Sequence, residues 1–409
     1  MKKYSLDKKK IKILLLEGIH ENAVAYFNDN GYTNVEWYKE SLPYEELEKK
    51  LQNTHIVGIR SRTELRRDIL LKAPRLITIG CFSIGINQVD LQDAKMLGIP
   101  VFNAPFSNTR SVAEMVIAEI IMLMRGIPEK NALAHKKIWM KSVINSVEIR
   151  GKTLGIVGYG HIGSQVSILA ENLGMNIYYY DIENKLSLGN ARPLSSLDEL
   201  LKISDTVTLH VPSTDLTRNM ISHAQVARMK KGACLINASR GDVVDYKAVA
   251  DGLRSKQLGG VAADVFPREP VSNNEPFINE LQEFDNVILT PHIGGNTLEA
   301  QANIGFEVAE KLVKYSDTGS TIGAVNFVEI SLQATASKQR FLHIHENVPG
   351  VLREVNNFFS SRGINISAEY LQTDADIGYV IIETESELDF SMLDELKKIP
   401  HTIRARILY

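Results

Sequence analysis

The glycine-rich stretch that leads to Asp181 constrains the fold more than any other part of the sequence. A short apolar run, residues 154–157, leads into the turn Gly158–Gly163, and a second apolar run ends at Asp181. Glycines at this spacing allow a tight turn, a close approach of the backbone to phosphate, and close packing of the next helix on its strand. The stretch therefore predicts a strand, a turn, a helix and a second strand that together bind a dinucleotide.

Asp181 favours NAD over NADP as that dinucleotide. An acid about 20 residues beyond such a turn accepts hydrogen bonds from both ribose hydroxyls and repels a 2′-phosphate. Residues 182–184 contain no arginine that could bind that phosphate, and Lys185 is the one reservation. The pyrophosphate is expected at the N-terminus of the following helix, where unpaired N–H groups and the helix dipole stabilise an anion.

The length and composition predict a globular chain that binds a small molecule. The 409 residues suggest about two or three domains, and 44% are hydrophobic and 23% charged. The formal charge of -3 offers no basic face for nucleic acid. Cys81 and Cys234 are the only cysteines and no apolar leader follows Met1, so a cytoplasmic location is expected. The most apolar helical run, Val112–Met124, contains two glutamates and is too short to span a membrane.

The chain before the glycine turn predicts a second sheet. From Ile11 to Ile79 short apolar runs alternate with amphipathic ones, which indicates a parallel sheet covered by helices on both faces. Arg60, Ser61 and Arg62 directly follow one of these strands, and the carboxyl ends of such strands are where ligands bind. Arginine matches the geometry of carboxylate and phosphate groups. Two solvated surface arginines are the alternative that the spacing leaves open.

Beyond Asp181, three consecutive strands each end in polar groups that the core of a sheet would not contain. The groups are Arg240 after the strand at 234–237, Asp264 and Glu269 after the strand at 260–263, and His292 after the strand at 287–289. Singly, they could be a surface cation, loop acids and a core histidine. Together they would face the crevice beside the glycine turn, because parallel strands end at the same edge of a sheet.

Arg240, Glu269 and His292 supply the groups that oxidation of a hydroxyacid requires. A base must take the hydroxyl proton as hydride leaves the carbon, and histidine titrates in the right range. A neighbouring carboxylate would stabilise the imidazolium, and an arginine would hold the substrate carboxylate and polarise the adjacent oxygen. We expect these three residues to be catalytic.

Three motifs in this part of the chain resemble those of the D-isomer-specific 2-hydroxyacid dehydrogenases. The motifs are Asn237–Asp245, Asp264–Phe266 with Glu269-Pro270, and Pro291–Gly295. In that family the Arg, Glu and His of these motifs are the catalytic set. The resemblance implies two further groups of residues. Those expected to contact NAD are Gly158, Gly160, His161, Ile162, Gly163, Asp181, Ala238, Ser239, Arg240, Asp264, His292, Gly294 and Gly295. Those expected to bind substrate are Arg60, Ser61, Arg62, Asn108, Arg240 and, reaching a neighbouring subunit, Lys141.

The resemblance also implies the architecture and the reaction. The expected fold is α/β, with two doubly wound parallel-sheet (Rossmann-like) domains, one inserted in the other. Residues 1–105 and 298–330 would bind substrate, 106–297 would bind NAD, and 337–409 would form a regulatory domain. The implied reaction is oxidation of 3-phosphoglycerate to 3-phosphohydroxypyruvate, the first step of serine synthesis, in a homotetramer. A side activity on 2-oxoglutarate is also implied. Another D-2-hydroxyacid dehydrogenase activity, such as oxidation of 2-hydroxyglutarate, and a non-catalytic NAD-sensing role are the alternatives.

The tail beyond residue 337 has a pattern of its own. Alternating and helical spacings predict the order βαββαβ, which is ferredoxin-like. This tail resembles an ACT domain, and the loop at 343–350 resembles the part that binds an amino acid. By that resemblance His345, Asn347 and, from a paired module, Asn365 would bind the effector L-serine. The segment 335–340 lacks the glycine pair that family members with strong serine inhibition carry, so the strength of inhibition is left open.

Overall fold

The structure is a computed structural model that describes residues 6–270, 274–333, 339–385 and 390–408. The chain divides into two compact units. The first unit combines Met1–Ser107 with Gln301–Tyr409, and the second unit is Asn108–Ala300. Within the described ranges, no helix combines the length and the apolarity that a membrane crossing requires.

The first unit begins with a parallel sheet of strand order β2-β1-β3-β4-β5. Its strands are β1 Ile13–Leu15, β2 Val35–Trp37, β3 Ile56–Ile59, β4 Thr78–Cys81 and β5 Val101–Asn103. The helices between them are α1 Glu21–Asp29, α2 Tyr44–Leu51, α3 Arg67–Leu70 and α4 Leu91–Met96. Every residue of β1, β3, β4 and β5 is buried, as expected for a parallel sheet that is covered on both faces.

The second unit contains a parallel sheet of order β12-β11-β10-β9-β6-β7-β8. Its strands are β6 Thr153–Val157, β7 Asn176–Tyr180, β8 Arg192–Pro193, β9 Thr206–Leu209, β10 Ala233–Asn237, β11 Leu258–Ala263 and β12 Val287–Leu289. Its helices are α5 Thr109–Met124, α6 Ile127–His135, α7 His161–Asn172, α8 Leu197–Ile203, α9 His223–Arg228 and α10 Tyr246–Arg254. The strand order reverses between β6 and β9, and the crevice at such a reversal is where ligands bind in open α/β sheets.

The first unit resumes with a long helix and an antiparallel module. These elements are α11 Leu298–Thr318, β13 Gln339–Glu346, α12 Val351–Ser360, β14 Ile366–Thr373, β15 Ile377–Thr384, α13 Phe390–Leu396 and β16 Thr402–Leu408. The sheet order is β14-β15-β13-β16, and every neighbouring pair is antiparallel. The module contacts the rest of its unit through Tyr379, whose hydroxyl donates to the carbonyl of Gly319 at 2.5 Å, and through an ion pair of 3.1 Å between Lys95 and Asp374.

The fold class predicted from the sequence is confirmed, since both parallel sheets and the βαββαβ module are present. The strand expected from the last of the apolar runs between Ile11 and Ile79 lies further along the chain. It runs from Thr78 to Cys81, because its pairing with β3 aligns Thr78 with Ile56 and Cys81 with Ile59. The functional boundaries of the three expected domains stay predictions. The segment without the glycine pair falls mostly on residues 334–338, which lie outside the described residues.

Candidate active site

The glycine turn between β6 and α7 has the geometry that its spacing predicts. Gly158 adopts φ 89°, and a Cβ atom there would lie 2.4 Å from the carbonyl oxygen of His210. A Cβ atom on Gly163 would lie 2.2 Å from the carbonyl oxygen of Gly158, so the helix packs directly on the turn. At Gly160 a Cβ atom would meet no atom within 4 Å, and α7 begins there without a side-chain cap. Open space in front of a helix N-terminus fits a pyrophosphate.

Asp181 is held at the end of β7 by the backbone. Its Oδ2 accepts a hydrogen bond from the amide of Tyr159 at 2.7 Å, and its Oδ1 accepts one from the amide of Glu183 at 2.9 Å. The nearby cation, Lys185, forms an ion pair with Glu183. Because Lys185 is neutralised by this partner, it does not offset the preference of Asp181 for an unphosphorylated ribose. The residues of this region therefore fit NAD.

At the end of β10, a network of hydrogen bonds around Asn237 holds the backbone of Arg240 in place. The Oδ1 of Asn237 accepts from the amide and the hydroxyl of Ser239, and its Nδ2 donates to the carbonyl of Arg240 at 3.0 Å. The same Nδ2 lies 3.1 Å from the hydroxyl of Tyr246, which in turn donates to the carbonyl of Val265 at 2.5 Å. Arg240 itself is exposed, and its Nη1 donates to the carbonyl of Ser239. The network fixes the backbone from which the guanidinium extends.

The structure brings His292 and Glu269 together. The Nδ1 of His292 lies 2.8 Å from Oε2 of Glu269, whose Oε1 accepts from the amide of Phe266 at 3.1 Å. His292 adopts φ 54°, a left-handed conformation that residues other than glycine rarely adopt. Its amide donates to the carbonyl of Asp264 at 2.8 Å, which holds this conformation. With Nδ1 bonded to the carboxylate, Nε2 is the nitrogen that can exchange a proton with a substrate.

The carboxylate of Asp264 organises the loop that carries His292. Its oxygens accept from the hydroxyl of Thr290 and from the amides of Ile293 and Gly294, each within 2.8 Å. Asp264 is expected to contact NAD, and this carboxylate also has a clear structural role in the loop.

Asn108 lies against the same loop. A Cβ atom on Gly295 would come within 2.0 Å of the Nδ2 of Asn108. The Oδ1 of Asn108 is buried and has no hydrogen-bond partner among the described residues. A buried acceptor without a partner is costly, and it indicates that a donor from a ligand or a water completes the site. The structure thus brings Asn108 next to the loop of His292, as a shared role requires.

Glu269 and His292 shift each other's pKa values. The hydrogen bond to Glu269 raises the pKa of His292 above its usual value and outweighs burial, which lowers it. Burial acts to raise the pKa of Glu269, but the hydrogen bond and the charge of His292 outweigh it, so that pKa is lowered. The positive charge of Arg240 acts to lower both values. The pair therefore combines an ionised carboxylate with an imidazole that binds a proton readily.

A cavity of about 550 Å³ adjoins this pair and is lined by His292, Glu269 and residues that follow β11 and β12. A larger cavity of about 810 Å³ is lined by Lys152, Asp205 and other residues that precede the strands. Because ligands of parallel sheets bind beyond the carboxyl ends, the smaller cavity marks the candidate active site. Across the described part of the chain, no three His, Cys, Asp or Glu side chains group together as a metal site.

The remaining predicted substrate residues are at two other places. Arg60, Ser61 and Arg62 belong to the first unit and directly follow β3. Arg60 is partly buried, Ser61 and Arg62 are exposed, and Arg62 lies 3.7 Å from the carboxylate of Glu40. Lys141 belongs to the second unit and lies in the segment 136–147 after α6, which we call the arm. Its expected contact is with a neighbouring subunit and stays a prediction.

The expected effector residues lie at the two ends of the antiparallel sheet. His345 is buried, and its Nε2 has no hydrogen-bond partner in the described part of the chain. Asn347 donates from Nδ2 to the carbonyl of Asp374 at 2.6 Å. Asn365 is exposed and directly precedes β14. Ile366 and Gln339 both pair with Thr384, whereas His345 pairs with Gly378, so Asn365 and His345 are at opposite ends of the sheet.

Comparison with known protein families identifies the class to which this site belongs. A family model described as D-isomer specific 2-hydroxyacid dehydrogenase, NAD binding domain, matches residues 117–294. A model described as AHAS small subunit-like ACT domain matches residues 341–404. The chain belongs to the D-isomer-specific 2-hydroxyacid dehydrogenase family, as its motifs predict. It is an oxidoreductase that uses NAD, and it carries an ACT domain at its C-terminal end.

Individual proteins that are similar to this chain have names more specific than that of the family. A D-3-phosphoglycerate dehydrogenase of Haemophilus influenzae is 56% identical over 407 residues, which cover 100% of this chain and 99% of the relative. D-3-phosphoglycerate dehydrogenase 1 of Saccharomyces cerevisiae is 47% identical over 98% of this chain and 88% of its own length. The crystal structure of D-lactate dehydrogenase from Aquifex aeolicus, complexed with NAD and lactic acid, is 29% identical with a TM-score of 0.64. The structural match covers 74% of the present chain and 95% of the D-lactate dehydrogenase chain.

The sequence interpretation did not include Glu17 or Tyr246. Glu17 lies two residues beyond the end of β1, the strand next to β3, so the rule that selected Arg60 near its strand end would also have selected this acid. Tyr246 begins α10, and nothing in its sequence context indicates that its hydroxyl joins the ends of β10 and β11.

Proposed function

We propose that the chain oxidises 3-phosphoglycerate to 3-phosphohydroxypyruvate with NAD and so catalyses the first step of serine synthesis. The pair of His292 and Glu269, joined at 2.8 Å beyond the carboxyl ends of the strands, is the observation that carries the chemistry. The choice of substrate is supported by relatives that bear the name D-3-phosphoglycerate dehydrogenase and match the whole chain.

The geometry of the second unit supports the following catalytic roles. NAD, when bound, supplies the acceptor for the hydride that leaves the substrate carbon. His292 takes the hydroxyl proton at Nε2, because its Nδ1 is committed to Glu269. The carboxylate of Glu269 stabilises the imidazolium that results. Arg240 binds the substrate carboxylate and polarises the oxygen that becomes the ketone.

Substrate binding is proposed to involve both units and a neighbouring subunit. Arg60 and Arg62 bind an anionic group of the substrate, Ser61 and Asn108 add hydrogen bonds, and Lys141 is contributed by the neighbour. The buried Oδ1 of Asn108, which has no hydrogen-bond partner among the residues that the structure describes, supports its part in this proposal. The phosphate of 3-phosphoglycerate would give Arg60 and Arg62 an anion to bind that lactate does not provide.

The ACT domain is proposed to bind L-serine as a feedback inhibitor, in a homotetramer. His345 and Asn347 of one chain and Asn365 of another form the binding site, and the separation of these residues within one chain supports two contributors. The apolar side chains of the arm support self-association, since Trp139 is 89% and Val143 87% exposed. The two cysteines are free and buried, in keeping with the proposed cytoplasmic location.

A spectrophotometric assay of NADH formation tests the proposal. The purified protein is expected to form NADH with 3-phosphoglycerate and to lose activity when serine is added. His292→Ala is expected to lower turnover by about 10²–10⁴-fold, the usual contribution of a positioned acid–base group. Activity with 2-hydroxyglutarate but not with 3-phosphoglycerate would instead favour a different hydroxyacid dehydrogenase. NADH binding without turnover of either acid would favour a sensing role.

A further inference from the structure

The carboxylate of Glu17 is bonded to the loop that carries the substrate arginines. This loop, Arg60–Thr63, is called the arginine loop below. The Oε1 of Glu17 accepts from the amides of Arg60 at 3.3 Å and Thr63 at 2.8 Å, and its Oε2 accepts from the amide of Arg62 at 2.9 Å. Glu17 is only 8% exposed. Three hydrogen bonds to one buried carboxylate hold the loop in a single conformation.

The backbone of Glu17 is itself held in an unfavourable conformation. It adopts φ 62°, in the left-handed region, and Gly18 follows at φ 63°. The amide of Glu17 donates to the carbonyl of Glu40 at 3.2 Å, and the amide of Gly18 donates to the carbonyl of Tyr38 at 3.0 Å. A glycine would fit φ 62° without strain. Strain of this kind persists where the surrounding structure imposes it and is concentrated at functional sites.

Arg60 is fixed from two sides. Its Nη1 donates to the carbonyl of Glu17 at 3.5 Å, and its own carbonyl accepts from the side chain of Gln88 at 2.6 Å. Gln88 is buried and also donates to the carbonyl of Gly85 at 3.2 Å, in the turn after β4. Since Glu17 occupies the amides of Arg60, Arg62 and Thr63, an anion that reaches this loop meets the guanidinium groups rather than those amides.

We propose that Glu17 is a positioning residue for substrate binding. It shapes the arginine loop so that Arg60 and Arg62 present their guanidinium groups to an anionic group of the substrate. The inference rests on the proposed function, because it assigns the arginine loop to the phosphorylated hydroxyacid. Glu17 does not take part in proton transfer, and its effect is expected in the binding of substrate rather than in the turnover of bound substrate.

The charge of Glu17 and its hydrogen bonds have opposite effects on the binding of an anionic substrate. The direction of the change in KM therefore tests the inference. The negative charge of Glu17 offsets the charges of Arg60 and Arg62, so its removal alone would strengthen the binding of an anion. Loss of the three hydrogen bonds would release the loop and weaken binding, because recognition requires guanidinium groups held in place. Positioning therefore predicts a higher KM for 3-phosphoglycerate when the side chain is removed, and a pure charge effect predicts a lower one.

Three variants separate these effects. Glu17→Gly removes the side chain and suits φ 62°, so the backbone keeps its conformation. Glu17→Gln keeps one acceptor oxygen for the amides of Arg60 and Thr63 but turns an NH₂ group towards the amide of Arg62. Glu64→Gln is the matched control, since Glu64 is an exposed acid beside the loop that pairs with Arg66 at 3.0 Å.

The experiment measures kcat, the KM for 3-phosphoglycerate and the dissociation constant of NADH for each variant, together with the thermal unfolding midpoint. We expect Glu17→Gly to raise the KM for 3-phosphoglycerate roughly 10- to 100-fold, Glu17→Gln to raise it less, and Glu64→Gln to leave it unchanged. The kcat value and NADH binding are expected to change little.

The outcomes distinguish this inference from the proposed function. A wild-type protein that does not oxidise 3-phosphoglycerate would overturn the proposed function. An active wild type with an unchanged or lower KM in Glu17→Gly would overturn the positioning role alone. A loss of kcat at constant KM, or failure of both Glu17 variants to fold, would assign Glu17 to the stability of the fold and would also overturn that role.

Discussion

At the scale of residues, His292 combines a left-handed backbone with a raised pKa. Two neighbouring residues, Asp264 and Glu269, account for these properties. The carbonyl of Asp264 holds the backbone, and Glu269 favours the protonated ring. As the proposed acid–base group, His292 must be neutral for oxidation and protonated for reduction. On that proposal the pKa of His292 sets the pH range in which each direction of the reaction proceeds.

Glu269→Gln is expected to shift the pH profile of the oxidation to lower pH. In the wild type the hydrogen bond and the charge of Glu269 raise the pKa of His292, so kcat/KM falls as pH decreases through that raised value. Without the carboxylate the pKa decreases, and the acidic limb of the profile moves down with it. Steady-state rates of NADH formation across the pH range measure the shift.

The reduction provides the internal check for Glu269→Gln, because its alkaline limb should move to lower pH as well. Glu280→Gln, which changes an exposed acid of the same unit, should leave both profiles in place. An acidic limb that stays fixed in Glu269→Gln would show that a group other than His292 controls it.

At the scale of elements, two glycines of the turn between β6 and α7 have different roles: one allows close packing, and the other leaves space for a ligand. Gly163 faces the backbone of Gly158, whereas Gly160 faces open space. Replacement of each by alanine adds the same methyl group in two different environments. The two positions therefore report on different properties of one turn.

Gly163→Ala is expected to destabilise the second unit by about 1–3 kcal/mol, because the added Cβ atom would lie 2.2 Å from a carbonyl oxygen. Gly160→Ala is expected to fold normally, since its φ of -81° suits alanine and no atom lies within 4 Å. It should still weaken NADH binding, because the methyl group occupies the space in front of α7. Thermal unfolding and NADH titration measure both effects, and normal NADH affinity in Gly160→Ala would contradict the proposed position of the pyrophosphate.

A buried acid in α5 is expected to make stability depend on pH. Burial, with a smaller contribution from the charge of Asp264, raises the pKa of Glu119 from 4.5 to about 8. Between these values the unfolded chain is ionised and the folded chain binds a proton, so folding stability falls as pH rises, by about 1.4 kcal/mol per pH unit. Above about pH 8 the loss is complete.

Glu119→Gln removes this titration. The variant should therefore gain thermal stability relative to the wild type as pH rises from 5 towards about 8. Glu114→Gln is the control, because Glu114 lies on the same helix but is exposed and bonded to Arg110 at 2.6 Å. A difference between Glu119→Gln and the wild type that does not vary with pH would rule out a protonated Glu119.

How much of the structure could be predicted from the sequence also differs from element to element. The glycine turn and the ends of β10, β11 and β12 could be predicted, because local spacing and the common direction of parallel strands determine them. Asn237 was expected only within a motif. Its network with Tyr246 depends on the packing of α10 against the ends of β10 and β11, which local spacing does not reveal. Glu119 is one of the two glutamates that interrupt the apolar run Val112–Met124. Its spacing in the sequence does not reveal that tertiary packing buries it.

At the scale of the whole molecule, the arm exposes several large apolar side chains to solvent. Trp139, Val143 and Ile144 are 89%, 87% and 73% exposed. Exposed apolar side chains that follow one another in sequence favour association with another protein surface. A second copy of the chain is the partner that the proposed homotetramer provides.

Val143→Asp is expected to shift the protein towards smaller assemblies, because the proposed interface would bury an unpaired charge. Leu216→Asp is the matched control, as Leu216 is 79% exposed in the same unit but outside the arm. Sedimentation velocity measures the distribution of species. Equal sedimentation of the wild type and Val143→Asp would contradict a role of the arm in assembly.

The separation of His345 and Asn365 has a genetic consequence. If each effector site combines His345 of one chain with Asn365 of its neighbour, as proposed, then either single substitution disables every site of a uniform assembly. Mixed assemblies behave differently. A pair of chains in which one carries His345→Ala and the other Asn365→Ala has one site with both substitutions and one site with neither. Two alleles that are each insensitive to serine should therefore restore partial feedback control when they are expressed together.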